Sequence, residues 1–175
     1  MIDAVLEFVS ENRYWAAPVA FLCAFGETLV LVSAVVPATG VILGAGALTV
    51  AGVVDFWPLF WGGWLGSIAG SLASWAIGRC FGPALLRRRR VRARIGTSTI
   101  LRAQRLMRRW GAPMVAAGHV TGPLRSISFA LAGLAAMPLR LFLPMTMLGA
   151  VVWAWAIPTA GALGGTVLDA LLSLV

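Results

Sequence analysis

Lysine is absent from this chain of 175 residues, histidine and tyrosine occur once each, and only 11% of the residues are charged. A soluble domain usually has about a quarter of its residues charged, so this scarcity excludes an ordinary water-soluble globule. Acids number six against fourteen arginines, and cysteine is limited to Cys23 and Cys80. The two cysteines fall in or beside apolar runs without metal-ligand spacing, so buried free thiols are expected rather than a disulfide or a metal site. A zinc triad, a phosphate-binding P-loop, a Gly-x-Ser-x-Gly elbow and a clustered carboxylate pair are also missing from the sequence. Hydrolytic and ATP-driven chemistry therefore have no visible machinery, and the chain reads as a non-enzyme that calls for no cofactor and no metal.

What is present is apolar: 60% of the residues are hydrophobic. Residues 56–78 and 141–168 carry no charge, and either run exceeds the roughly 20 residues that a helix needs to cross hydrocarbon. An integral, multi-pass membrane protein is expected. Ten of the fourteen arginines lie between Arg87 and Arg109, so the net charge of +8 is local. Arginine-rich segments stay in the cytoplasm and can touch anionic headgroups. This predicts a protein of the cell (inner) membrane with the segment on the cytoplasmic side, where Arg87, Arg88, Arg89 and Arg90 set topology and contact anionic lipid. Arg79 reads as snorkelling from a helix end to the same headgroups. The segment lacks interleaved aromatics and joins two membrane regions, which argues against a nucleic-acid partner.

Residues 1–13 alternate acids with apolar positions and predict a short amphipathic helix rather than a cleavable signal. Residues 14–54 and 110–136 are apolar but broken near their middles, at Pro37-Ala38-Thr39-Gly40 and at Thr121-Gly122-Pro123. Proline and glycine there cost helical hydrogen bonds and let the chain reverse. The arms around Gly122-Pro123 are about a dozen residues each and at ~1.5 Å rise reach only about half the hydrocarbon thickness, which predicts a re-entrant hairpin broken at Pro123; a hairpin is also expected in the first region, with its break at Pro37 and Gly40. In the first region, residues 14–36 are alternatively long enough to span. AGVVDFWPLF at 51–60 and AGLAAMPLRLF at 132–142 form a weak internal echo. Each closes a broken region and opens a long apolar run, which suggests two repeats. A hairpin returns to its own side and the following span crosses once, so the second repeat is inverted relative to the first, a transporter-like plan. The expected fold is thus an all-α polytopic membrane protein of two inverted repeats, each a re-entrant helical hairpin followed by a transmembrane helix. Its parts are the amphipathic helix 1–13, a hairpin at 14–54, a span at 56–80, the cytoplasmic segment 83–109, a hairpin at 110–136 and a span at 139–165.

Glu27 lies within an apolar run, where a carboxylate requires a partner or neutralisation, and is the first candidate for proton coupling. Arg125 follows the second break, where its fork of donors suits a phosphate, together with Thr39, Thr121 and Gly122 at the two breaks. An ion pair with Glu27 that locks the hairpins together is the structural alternative, compatible with that role. His119 is the second proton-coupling candidate, although a lone histidine in an apolar run is as readily a packing residue. Trp15, Trp57, Trp61 and Trp110 read as interfacial anchors, and Trp153 and Trp155 as packing.

With these residues in view, the chain resembles the DedA family, also called the SNARE-associated Golgi protein or VTT domain family, over roughly residues 20–165. Glu27 followed by Pro37 is similar to the family's first hairpin, ALTVAG to the segment after it, and SWAIGRCFG to its tyrosine/glycine/arginine helix end. GHVTGPLRSISFALAGLAAMPLRLF, with Trp153 and AGALGG beyond it, resembles the second hairpin and following helix. The resemblance implies movement of phospholipid or undecaprenyl phosphate between leaflets, in some members with dependence on the proton gradient. Two positions depart from the pattern: Thr39 stands where the family commonly has a second acid, and His119 where it commonly has an arginine. The function expected is that of a lipid flippase or scramblase whose partners are phosphate-bearing membrane lipids and protons. A membrane scaffold binding lipid or protein through the arginine segment, and a small-ion or drug antiporter using Glu27, are the alternatives.

Overall fold

Glycine, valine and threonine are indifferent helix formers in water, but a backbone inside hydrocarbon must satisfy each N–H and C=O within its own segment. The computed structural model of the protein describes residues 2–30, 38–87, 97–119 and 125–172. Among these the regular elements are all helical. They are α1 (Ile2–Glu11), a 3-10 turn (Arg13–Trp15), α2 (Ala16–Thr28), α3 (Ala38–Val50), α4 (Phe56–Arg87), α5 (Thr97–Gly118), α6 (Arg125–Leu134) and α7 (Leu139–Leu172).

Among the described residues one stretch, Leu139–Val167 of α7, is long and apolar enough to cross a membrane. Its outward face carries Leu148, Val152, Leu163 and Val167, all exposed, which suits a lipid solvent. A second such span was expected at 56–80. Helix α4 has the length, at 32 residues, but residues 56–78 include four tryptophans, five glycines and three serines, which lower its mean hydropathy. Those small residues serve helix contact. Gly62, Gly66 and Gly70 of α4 lie against the backbone carbonyls of Ala17, Phe21 and Phe25 of α2, and a Cβ at any of the three would overlap those oxygens. Both helices advance by four residues between contacts, so α2 runs parallel to the first half of α4 and ends beside its middle. Gly78 and Gly82 meet Ala130 and Leu134 of α6 in the same parallel sense, and Gly133 of α6 abuts the Trp75 carbonyl. On α7, Gly161 and Gly165 meet Leu43 and Ala47 of α3, while Gly149 lies against the Ala116 carbonyl of α5. Each long helix therefore carries two short ones: α4 holds α2 and α6, and α7 holds α3 and α5.

The turns into the two long helices share one backbone design. At the end of α3, Gly52 N–H bonds to Thr49 O and Val53 N–H to Leu48 O; at the end of α6, Ala136 N–H bonds to Gly133 O and Met137 N–H to Ala132 O. Both are Schellman closures with the pivotal residue at positive φ, 67° for Gly52 and 59° for Ala136, a conformation that suits glycine and costs alanine about 1 kcal/mol. Gly52 thus corresponds to Ala136, whereas the sequence echo pairs it with Gly133, three residues away.

Other expectations shift as well. The boundary set at 109/110 falls inside α5, because arginine is a good helix former and nothing between Arg109 and Trp110 breaks the ladder; Pro113 also lies within this helix. Gly40 sits in the first turn of α3, so the first interruption ends before it. Cys23 is half-buried, but Cys80 is exposed beside the exposed Phe81 on an outward face of α4. Trp155 is half-exposed, while Trp153 is buried. Helix α1 packs Ile2 and Leu6 against Gly40 and Gly44 of α3, and its Val9 enters a core with Ala16, Ala20, Ala45, Val54 and Leu59.

Candidate functional site

Where α2 ends inside the protein, its last backbone groups need partners other than water. Ser74 of α4 supplies them, donating to Thr28 O at 2.7 Å and accepting from Val30 N–H at 2.9 Å. The Thr28 hydroxyl turns back to the Ala24 carbonyl at 2.8 Å. This clamp fixes Glu27 at the inner end of α2. Arg125 is the first residue of α6, and its side chain is fully buried.

The two meet: Arg125 Nη2 is 2.7 Å from Glu27 Oε1. Thr39, in the first turn of α3, donates its hydroxyl to the same Oε1 at 2.6 Å. The guanidinium also lies over the ring of Trp153, with Cζ 4.5 Å from the centroid. Trp153 is the midpoint of the Leu139–Val167 stretch, so the pair sits at the centre of the helix best able to span a bilayer. Glu27 Oε2 and Arg125 Nε and Nη1 are buried without a hydrogen-bond partner among the described residues. The Nη2 contact is close, but its N–H is not well directed at the oxygen, which makes it an ion pair rather than a well-formed hydrogen bond. A buried guanidinium with unengaged donors is costly unless another acceptor can approach.

His119, at the inner end of α5, is fully buried against the Phe129 ring, 4.8 Å between centroids. Its Nε2 is 3.5 Å from Ser71 Oγ and its Nδ1 3.3 Å from Val115 O. Ser71 donates to the Ser67 carbonyl at 2.6 Å, and the hydroxyls of Ser67 and Thr146 are buried without a partner among the described residues. Glu27, Thr39 and Arg125 are thus drawn from α2, α3 and α6 to one polar centre, while His119, the residue after α5, meets Ser71 of α4 and Phe129 of α6. Pro37, Thr121, Gly122 and Pro123 lie outside the described residues, as do Arg88, Arg89 and Arg90; Arg87 ends α4. Arg79 is exposed and flanks Trp75, 5.9 Å from its centroid, away from this centre.

The sequence reading does not single out Ser67, Ser71 and Ser74. Their spacing of four and three residues places them on one face of α4, and that periodicity of hydroxyls in a charge-free run was the available signal. Trp153 gave no local signal, since its partner Arg125 is distant in sequence.

Comparison with known proteins yields a match between residues 36–163 and the family model described as the VTT domain. The inner membrane protein YabI of Escherichia coli (strain K12) is 25% identical over 169 residues, which cover 96% of this chain and 66% of YabI. The uncharacterized membrane proteins Mb2670 of Mycobacterium bovis and Rv2637 of Mycobacterium tuberculosis are each 35% identical over 92 residues, 51% of this chain and 42% of theirs. The chain therefore spans 66% or less of the length of these relatives. No solved structure matches it at comparable significance.

Proposed function

Because the chain belongs to the VTT-domain (DedA) family of membrane proteins, we propose that it carries the headgroup of a phosphate-bearing lipid, a phospholipid or undecaprenyl phosphate, between leaflets, as a transporter rather than an enzyme. In this reading α2 with α3, and α5 with α6, are re-entrant hairpins that enter from opposite faces, α4 and α7 cross the bilayer, and the arginine-rich segment is cytoplasmic. The parallel docking of α2 and α6 along α4 and of α3 along α7 supports the plan, as does the shared closure at Gly52 and Ala136.

The observation that carries the reading is the buried Arg125, held by Glu27 and stacked on Trp153 at the midpoint of the Leu139–Val167 stretch, with Nε and Nη1 lacking a hydrogen-bond partner among the described residues. Moving a phosphate through hydrocarbon is opposed by the loss of its hydration. A guanidinium already desolvated, with the Thr39 hydroxyl on the carboxylate oxygen it faces, replaces part of that hydration without reorganising. Protonation of Glu27 would release Arg125 to the phosphate, while Thr39 can keep its hydrogen bond to either form of the carboxyl. Return of the Glu27 charge would then compete the phosphate away. His119, whose Nε2 lies 3.5 Å from Ser71 Oγ, is a second proton carrier beside this exchange.

The test is reconstitution into liposomes with labelled undecaprenyl phosphate and phosphatidylethanolamine, reading the leaflet accessibility of each label. Wild-type protein should equilibrate at least one of them, and Arg125→Ala and Glu27→Gln should not. Translocation undiminished in both variants would overturn the roles given to these residues. Ion flux without lipid movement would instead identify an antiporter. Lipid or partner binding that disappears when Arg87–Arg90 are neutralised, yet ignores Glu27 and Arg125, would identify a scaffold.

A further inference from the structure

Away from the polar centre, the middle of α5 and the turn between α6 and α7 line a pocket of about 360 Å³, within the ~300–1,000 Å³ usual for small-ligand sites. Its walls include Met107, Arg109, Gly111, Pro113, Ala136 and Met137. Pro113 is shared with a second, shallower groove of about 430 Å³ that continues along Trp110, Met114 and Ala117. These positions recur at three and four residues, so the groove follows one face of α5 and ends at Ala117, close before His119. The pocket is floored by the two buried methionines and edged by the exposed Arg109, which lies 6.0 Å from the centroid of the exposed Trp110 ring.

The charge surroundings decide what fits. No acidic residue occurs between Asp55 and Asp169, and no carboxylate pairs with Arg109 among the described residues. A cation at the mouth of a pocket that opens into an apolar groove complements an amphiphile with an anionic head and a hydrocarbon tail. We propose that this composite surface is a lipid-loading site, with Arg109 holding the phosphate of an anionic phospholipid and the Trp110–Ala117 face of α5 seating its acyl chain. The site rests on the transport reading as the place where a lipid is captured before its head passes to Arg125, but its occupancy is a binding event that can be read without transport.

The probe is phosphatidylglycerol with a photoactivatable diazirine in one acyl chain, in phosphatidylcholine vesicles containing the full chain. Cross-links should map to Trp110–Ala117. Arg109→Gln should lower them about tenfold, the scale of one charge-assisted hydrogen bond, and Ala117→Trp, which fills the groove, should abolish them. Arg105→Gln, one turn away and outside the pocket, serves as the control and should leave labelling near wild type. Equal labelling by a diazirine phosphatidylcholine, or labelling indifferent to both pocket variants, would overturn the proposal. Displacement of the label by glycerol 3-phosphate would overturn it in favour of a site for soluble phosphate esters. Because the readout is labelling, a silent lipid-flux assay with intact cross-linking would sink the transport reading alone, whereas flux with absent cross-linking would sink the loading site alone.

Discussion

Separating Glu27 from Arg125 should be among the most damaging single changes this chain can suffer, and the structure sets the scale. At 2.7 Å and an effective dielectric of about 20, Coulomb's law gives an attraction of roughly 6 kcal/mol. That attraction offsets the desolvation of both ions, so the net value of the pair is far smaller, yet losing one member strands the other. Glu27→Gln leaves a fully buried guanidinium with its charge unmatched, and about 3–5 kcal/mol of stability should be lost. Arg125→Met leaves Glu27 with the Thr39 hydrogen bond, which places its cost at the lower end of that range. The double variant removes both charges and should cost at least 2 kcal/mol less than the sum of the singles. Reversible unfolding in mixed detergent micelles, followed by tryptophan fluorescence, measures all four species of the cycle. Additivity within about 0.5 kcal/mol would refute the reasoning, because buried groups in direct contact cannot behave as independent sites.

Ala136→Gly should raise stability by about 0.5–1 kcal/mol by relieving a positive φ, and Gly52→Ala at the corresponding closure should lower it by a similar amount; thermal unfolding in detergent checks both signs. Ser74→Ala should cost about 1–3 kcal/mol, since it orphans the Thr28 carbonyl and the Val30 amide together, and amide exchange at Val30 should accelerate. Gly66→Ala and Gly133→Ala force backbones apart where a carbonyl occupies the space of the new methyl. Each should lose about 1–3 kcal/mol or more, while an alanine at Gly164, which meets no neighbour within 4 Å, should be tolerated in the same assay.

Much of the helical plan was legible because lipid leaves few alternatives. A charge-free run of sufficient length must be helical, and proline with glycine must interrupt it, so the positions of α2, α3, α4, α6 and α7 followed from the chain alone. The limits of α5 did not, since arginine propagates a helix as readily as it marks a cytoplasmic segment. The proximity of Glu27 and Arg125 was anticipated from the cost of a lone charge in hydrocarbon. The serine face of α4 was overlooked because glycine and serine look alike as small residues until their spacing is measured. The partnership of Arg125 with Trp153 was not legible, as nothing local in either segment encodes an encounter between α6 and α7. The misplaced echo has a similar origin: identical Ala-Gly letters at 51–52 and 132–133 drew the alignment away from the backbone equivalence, which alanine at 136 disguises.

Glycine rows bind α2 and α6 to one long helix and α3 and α5 to the other, so the molecule divides into two rafts, each built from both halves of the sequence. Glu27 and Arg125 ride together on the first; Thr39, His119 and Trp153 ride on the second. The Thr39 hydroxyl, the Trp153 ring face, the contacts of His119 with Ser71 and Phe129, and the packing of Trp155 on Phe56, Trp57 and Phe60 are among the stitches across the seam. A rocking of one raft against the other would part these stitches and leave the ion pair whole, opening a slot that runs past the guanidinium.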